Sequence, residues 1–150
     1  MEVYDFHKVR TTVDTYLAGL KYDRYCIKDL QKRHQELQLS SISALQYDEY
    51  NKTKGTANSQ VERVAIKLNQ LEEELDRAIF EYNYEMRRVK KFVKTTDAMQ
   101  ILWLVEMSHW SIEKAGKKFG YKRRQTYKKK ELGYKQFYRQ LIAHDLLKKS

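Results

Sequence analysis

No proline interrupts the 150 residues of this chain, and glycine stands at only five positions. Tight turns draw on the fixed φ of proline and the left-handed backbone of glycine. A sandwich or barrel of many hairpins would therefore have almost nothing to turn on. Lys, Glu, Gln, Leu and Arg are abundant, and these residues lose little rotamer freedom in a helix. The expected fold class is all-α. The length suits one globular domain or two small ones. A single cysteine, Cys26, excludes an internal disulfide framework and a cysteine metal cluster. The longest apolar run, Ile101 to Val105, falls far short of the ~20 residues that span a bilayer. Residues Met1 to Lys8 mix both signs of charge and lack the layout of a signal peptide, so a cytoplasmic location is expected.

Two stretches carry apolar residues at alternating three- and four-residue intervals. In the first, Val13, Tyr16, Leu20, Ile27, Leu30, His34 and Leu37 share one helical face, with Asp23 as a misfit. In the second, Val61, Val64, Leu68, Leu71, Leu75, Ala78 and Tyr82 do so, and the pattern continues through Val89 to Phe92. The polar stretch from Ser40 to Gln60, with Gly55 near its middle, reads as a loop holding at most a short helical turn near Ile42 to Leu45. Helices this long bury their seams as an intrachain hairpin or as a coiled coil against a second copy, and a homodimer through them is one expectation. His34 in the seam reads as a register-setting or hydrogen-bonded residue rather than a metal ligand. His7, His109 and His144 do not stand at helical spacing from it, and no metal is expected.

A second region, residues 94–150, is expected to form its own domain. Thr95-Thr96-Asp97 offers an N-cap and a first-turn carboxylate, and Met99, Leu102, Trp103 and Met107 face one way. Ser111 can cap a two-turn helix with Ile112, Ala115, Gly116 and Phe119 inward, and Gly120 follows as a left-handed C-cap. Beyond Tyr121, a third stretch places Thr126, Gly133, Tyr134, Phe137 and Leu141 on one face. Long helix, short helix, short turn, basic helix is the order of a helix-turn-helix. Gly116 falls where the two helices of such a motif cross, and Gly133 is tolerable where it packs against the Trp103 helix.

Charge points to the partner. The formal net charge is +10, split as −3 over residues 1–85 and +13 over residues 86–150. So concentrated an excess attracts polyanions, with nucleic acid first and an anionic membrane surface second. The membrane is disfavoured because the basic helix carries Gly133 and Tyr134 in place of a dense apolar face. From Lys122 to Lys130, six of nine residues are Lys or Arg. A recognition helix meets base edges with its N-terminal residues. Arg123 and Arg124 offer planar forks to guanine or phosphate, and Gln125 can pair with adenine. Tyr127 can reach a phosphate or stack on a sugar, Lys128, Lys129 and Lys130 supply point charges to the backbone, and Lys122 opens the run as a further DNA-binding candidate.

The segment from Lys114 to Tyr127, followed by Leu132-Gly133-Tyr134-Lys135-Gln136-Phe137, resembles the helix-turn-helix of sigma factor region 4. More closely, the layout resembles the ArpU and RinA type of phage late-gene transcriptional regulators, over about residues 95–141 by residue and over the first 94 by layout. That resemblance implies a DNA-binding activator of phage or prophage late genes that acts at a promoter and touches RNA polymerase. The chain departs from the pattern at Ala115-Gly116, where Ile-Ala is usual, and at Lys122, where a capping Ser is usual. An alternative is a non-enzymatic phage packaging or assembly component, small-terminase-like, that binds DNA and oligomerises through its helices. No convergent catalytic site and no glycine-rich phosphate loop is visible, so neither catalysis nor a cofactor is expected.

Overall fold

A computed structural model describes residues 5–50 and 57–147, with side chains for 5–42 and 61–147. Among the described residues there are five helices and no strand: α1 (Phe6–Tyr50), α2 (Ala57–Val93), α3 (Asp97–Glu106), α4 (Ile112–Lys118) and α5 (Arg123–Ala143). The all-α expectation holds. No helix among these residues is long and apolar enough to cross a membrane.

The expected loop from Ser40 to Gln60 is mostly helix. α1 runs through Ile42 to Leu45 to Tyr50, and α2 begins at Ala57. Polar composition does not by itself end a helix: Ser40 stays within α1, its Oγ donating to the Glu36 carbonyl at 3.1 Å. With no proline to remove an N–H, nothing stops the helix there. Residues 51–56, which include Gly55, lie outside the described residues.

Contacts divide the chain into two compact units, and the division differs from the expected boundary at 93/94. One unit runs from Tyr22 to Asn83, while the other joins the chain up to Lys21 to everything from Tyr84 onward. In the first, His34 Nε2 meets Glu72 Oε1 at 3.0 Å, which makes His34 the hydrogen-bonded seam residue expected. The seam positions Val61, Val64, Leu68, Leu71, Leu75, Ala78 and Tyr82 are half-buried.

The core of the second unit draws on four helices. Val9, Val13, Leu17 and Leu20 of α1 join Val89, Phe92 and Val93 of α2, Met99 and Leu102 of α3, and Tyr134, Phe137 and Leu141 of α5. Phe137 meets Phe92 edge-on at 5.2 Å between ring centroids. Local periodicity locates such faces but does not say which partner each one meets. That is why the first four turns of α1 were not expected in this core. Thr96 caps α3 as expected, its Oγ1 accepting from the Met99 N–H at 3.2 Å and donating to Gln136 Oε1 at 2.7 Å. α5 ends with Asp145 at φ +51 and the Leu146 N–H bonded to the Leu141 carbonyl at 2.9 Å. Arg88 donates to the His144 carbonyl at 2.9 Å, placing a cation at the negative end of that helix.

Candidate nucleic-acid interface

α4 starts where Ser111 Oγ accepts from the Lys114 N–H at 3.1 Å, and its two turns close at Phe119. The Gly120 N–H then bonds to the Lys117 carbonyl at 3.2 Å and the Tyr121 N–H to the Gly116 carbonyl at 2.9 Å. This pair is a Schellman motif, and it requires the residue between to be left-handed. Gly120 supplies that with φ +76. Tyr121 donates to Asp97 Oδ2 at 2.9 Å, tying the turn to the start of α3.

α5 begins at Arg123 with Lys122 as its cap residue. The missing Ser is replaced from the other side, because Gln125 Oε1 accepts from the Lys122 N–H at 3.1 Å. This is the reciprocal half of a capping box, and it fixes the helix start without a cap hydroxyl. Two glycines let the helices close. A Cβ on Gly116 would run into Thr126 Oγ1, and one on Gly133 would run into the Ala98 carbonyl oxygen. Gly133 therefore packs against the helix that carries Trp103, as expected.

Thr126, Gly133, Tyr134, Phe137 and Leu141 are all buried, so the opposite side of α5 is open. On it stand Arg124, Lys128, Lys135 and Arg139, spaced by four, seven and four residues and hence on one face of a 3.6-residue helix. Lys135 and Arg139 lie beyond the residues proposed from sequence. Their signal was the continuation of the Arg124 and Lys128 register past the end of the dense basic run.

The expected site residues divide by their surroundings. Arg124 and Lys128 are exposed, with no ion pair or hydrogen bond among the described residues. Arg123 is exposed 3.8 Å from Glu113, with its guanidinium 5.9 Å from the centre of the half-exposed Tyr127 ring. An exposed pair of this length contributes little to stability. Lys122 is exposed at the cap. The amide oxygen of Gln125 is engaged in capping, so the two-point contact with adenine expected of it is not formed by this rotamer. Lys129 turns back over the Tyr121 ring, its Nζ 5.3 Å from the centroid.

Lys130, expected to meet the DNA backbone, instead points inward and pairs with Glu106 at 2.8 Å, because its position falls on the buried face of α5. Burial alone would raise the Glu106 pKa, but Lys130 and the Tyr134 hydroxyl outweigh it and hold the carboxyl below its ordinary value. Tyr134 in turn donates to Asp14 at 2.7 Å, and its burial and that hydrogen bond push its pKa well up.

The start of α5, like those of α1 and α2, lacks a first-turn carboxylate. α3 and α4 carry Asp97 and Glu113 in their first turns, whereas the first turn of α5 has no acidic residue. Arg123 and Arg124 stand there, at the positive end of the helix dipole. Nearby, Lys114 and Lys118 lie over the Trp110 ring at 4.2 and 5.7 Å. Among the described residues, no group of three His, Cys, Asp or Glu side chains is arranged to hold a metal ion. No family model, no curated protein and no solved structure matches the chain.

Proposed function

We propose that α4 and α5 form a helix-turn-helix that reads double-stranded DNA, and that the chain is a sequence-specific transcriptional regulator. One observation carries the reading. Lys122, Arg123 and Arg124 crowd the positive end of α5, whose first turn holds no carboxylate and where the one ion pair, Arg123 with Glu113, is exposed and 3.8 Å long. Repulsion between these cations and the helix end is relieved when an anion docks there. The exposed Arg124 and Lys128, one turn apart on the open face, extend that demand along the helix, and a phosphate backbone meets it at several points.

The resemblance to ArpU and RinA type regulators narrows this proposal to an activator of phage or prophage late genes, with RNA polymerase as a second partner. The half-buried apolar seam of α2, from Val61 to Tyr82, supports self-association as one reading of the long helices. A dimer suits the regulator and a ring suits the packaging alternative. The test is to recover the DNA fragments that the full chain retains from its source genome and to weigh the protein in solution. A retained site upstream of packaging or lysis genes supports the regulator. Retention of random fragments by a ring-sized oligomer supports the assembly component. A log-log plot of duplex affinity against salt should fall with a slope near −0.9 per phosphate contacted, and a flat plot overturns DNA binding.

A further inference from the structure

On the side of α3 turned away from α5 lies a groove of about 190 Å³. Ala98, Leu102 and Glu106 of α3 meet Gly133 and Lys130 of α5, whereas Gln100 and Leu104, four residues apart, line the groove. Its floor is apolar, made of Val93 at the end of α2 with Trp103 and Leu104. Its rim is basic, made of Lys90, Lys94 and Lys118. All three lysines are exposed, and none is ion-paired among the described residues. Gln100 holds the wall in shape by donating to the Lys94 carbonyl at 3.2 Å.

We propose that this groove captures an acidic segment of a partner protein, which inserts one bulky apolar side chain between flanking carboxylates. The volume is below the roughly 300 Å³ of a small-molecule pocket but suits a single side chain. The rim demands negative charge and the floor demands a hydrocarbon group. A nucleic-acid backbone has the first and lacks the second, so the pairing favours a polypeptide over a further DNA contact. Charge around an apolar anchor sets register and encounter rate, while the anchor supplies most of the affinity. Because the groove lies across α3 from α5, a protein holding DNA through α5 keeps it free. The inference does not depend on the DNA-binding reading.

The test is a selection from a random displayed peptide library on the full chain, repeated on the Lys90→Glu/Lys94→Glu double variant. Both positions are exposed on the last turn of α2 and just beyond it, and an unchanged thermal melt verifies that the variant folds. The expected enrichment is in peptides with one large apolar residue among Asp and Glu, binding the variant at least about tenfold more weakly. Enriched peptides without acidic bias, or with equal affinity for the variant, overturn the proposal. So does a loss of duplex DNA affinity in the variant as large as its loss of peptide affinity, which would make the lysines a nucleic-acid contact.

Discussion

Gly116 of α4 and Thr126 of α5 approach so closely that a Cβ on the glycine would take the place of the threonine hydroxyl. That hydroxyl is not free to move, since it donates to the Lys122 carbonyl at 2.9 Å in a fully buried site. Gly116→Ala is expected to destabilise the protein by about 1–3 kcal/mol, the range for overpacking. In a Thr126→Ala background the same change should cost less, because the nearest obstacle is gone. Denaturant unfolding of the four proteins gives the coupling. Additive effects would show that the two residues do not press on one another.

Removing the N-terminal half should unfold the C-terminal one. A fragment of residues 94–150 keeps Met99, Leu102, Tyr134, Phe137 and Leu141 but loses Val9, Val13, Leu17, Leu20, Val89, Phe92 and Val93 from the same core. It is expected to show no cooperative thermal transition by circular dichroism. A sharp melt would place the early turns of α1 outside the core.

The sequence showed the local part of this arrangement and missed the distant part. The Thr96 and Ser111 caps, the left-handed Gly120, the close approach at Gly116 and the buried face of α5 are each written in a few neighbouring residues. The union of α1 with α5 is not, because Tyr134 bonds to Asp14 across 120 positions and no periodicity encodes that distance. The extent of α1 was misjudged for another reason. Ser, Gln and Asn suggest a loop only when their side chains compete for the backbone, and Ser40 bonds back along its own helix. At the site, the division of the basic run is legible in the same periodicity that gives the buried face. Lys130 stands four residues after Thr126, three before Gly133 and four before Tyr134, inside that face, whereas Lys128 stands four after Arg124 on the opposite one.

Acid should weaken the protein partly through Glu106. Its folded-state pKa is lowered, so its contribution is full above the ordinary carboxylate range and is lost as pH falls through the folded-state value. Glu106→Gln leaves Lys130 without its charged partner and is expected to cost about 1.5–3 kcal/mol near neutral pH, the range for a hydrogen bond to a charged group. The difference between wild type and variant, followed by denaturant unfolding, should shrink toward zero as the solution is acidified. A constant difference would show that the carboxylate charge is not what Lys130 holds.

Substitutions in the first turns of α5 should differ in kind as well as size. Arg124 is exposed and unpartnered among the described residues in the turn that a major-groove reader presents to base edges. Arg124→Ala is expected to cost about 1–3 kcal/mol on the cognate site and to relax preference at one or two base pairs. Lys128 stands one turn later on the same open face. Lys128→Ala should weaken cognate and random duplexes alike and lower the salt slope by about one. Gln125 belongs to neither class, because its amide oxygen holds the Lys122 N–H at the helix start. Gln125→Ala should lower stability by about 0.5–1 kcal/mol, the weak end of a capping loss, and weaken binding to every sequence by a similar factor. Gln125→Glu keeps the cap acceptor but adds an anion beside the site, so it should restore stability without restoring affinity. Anisotropy titrations against a panel of single-base variants, run beside thermal melts, separate the three behaviours. A base-specific loss for Gln125→Ala with unchanged stability would mean that the side chain leaves its cap to read DNA.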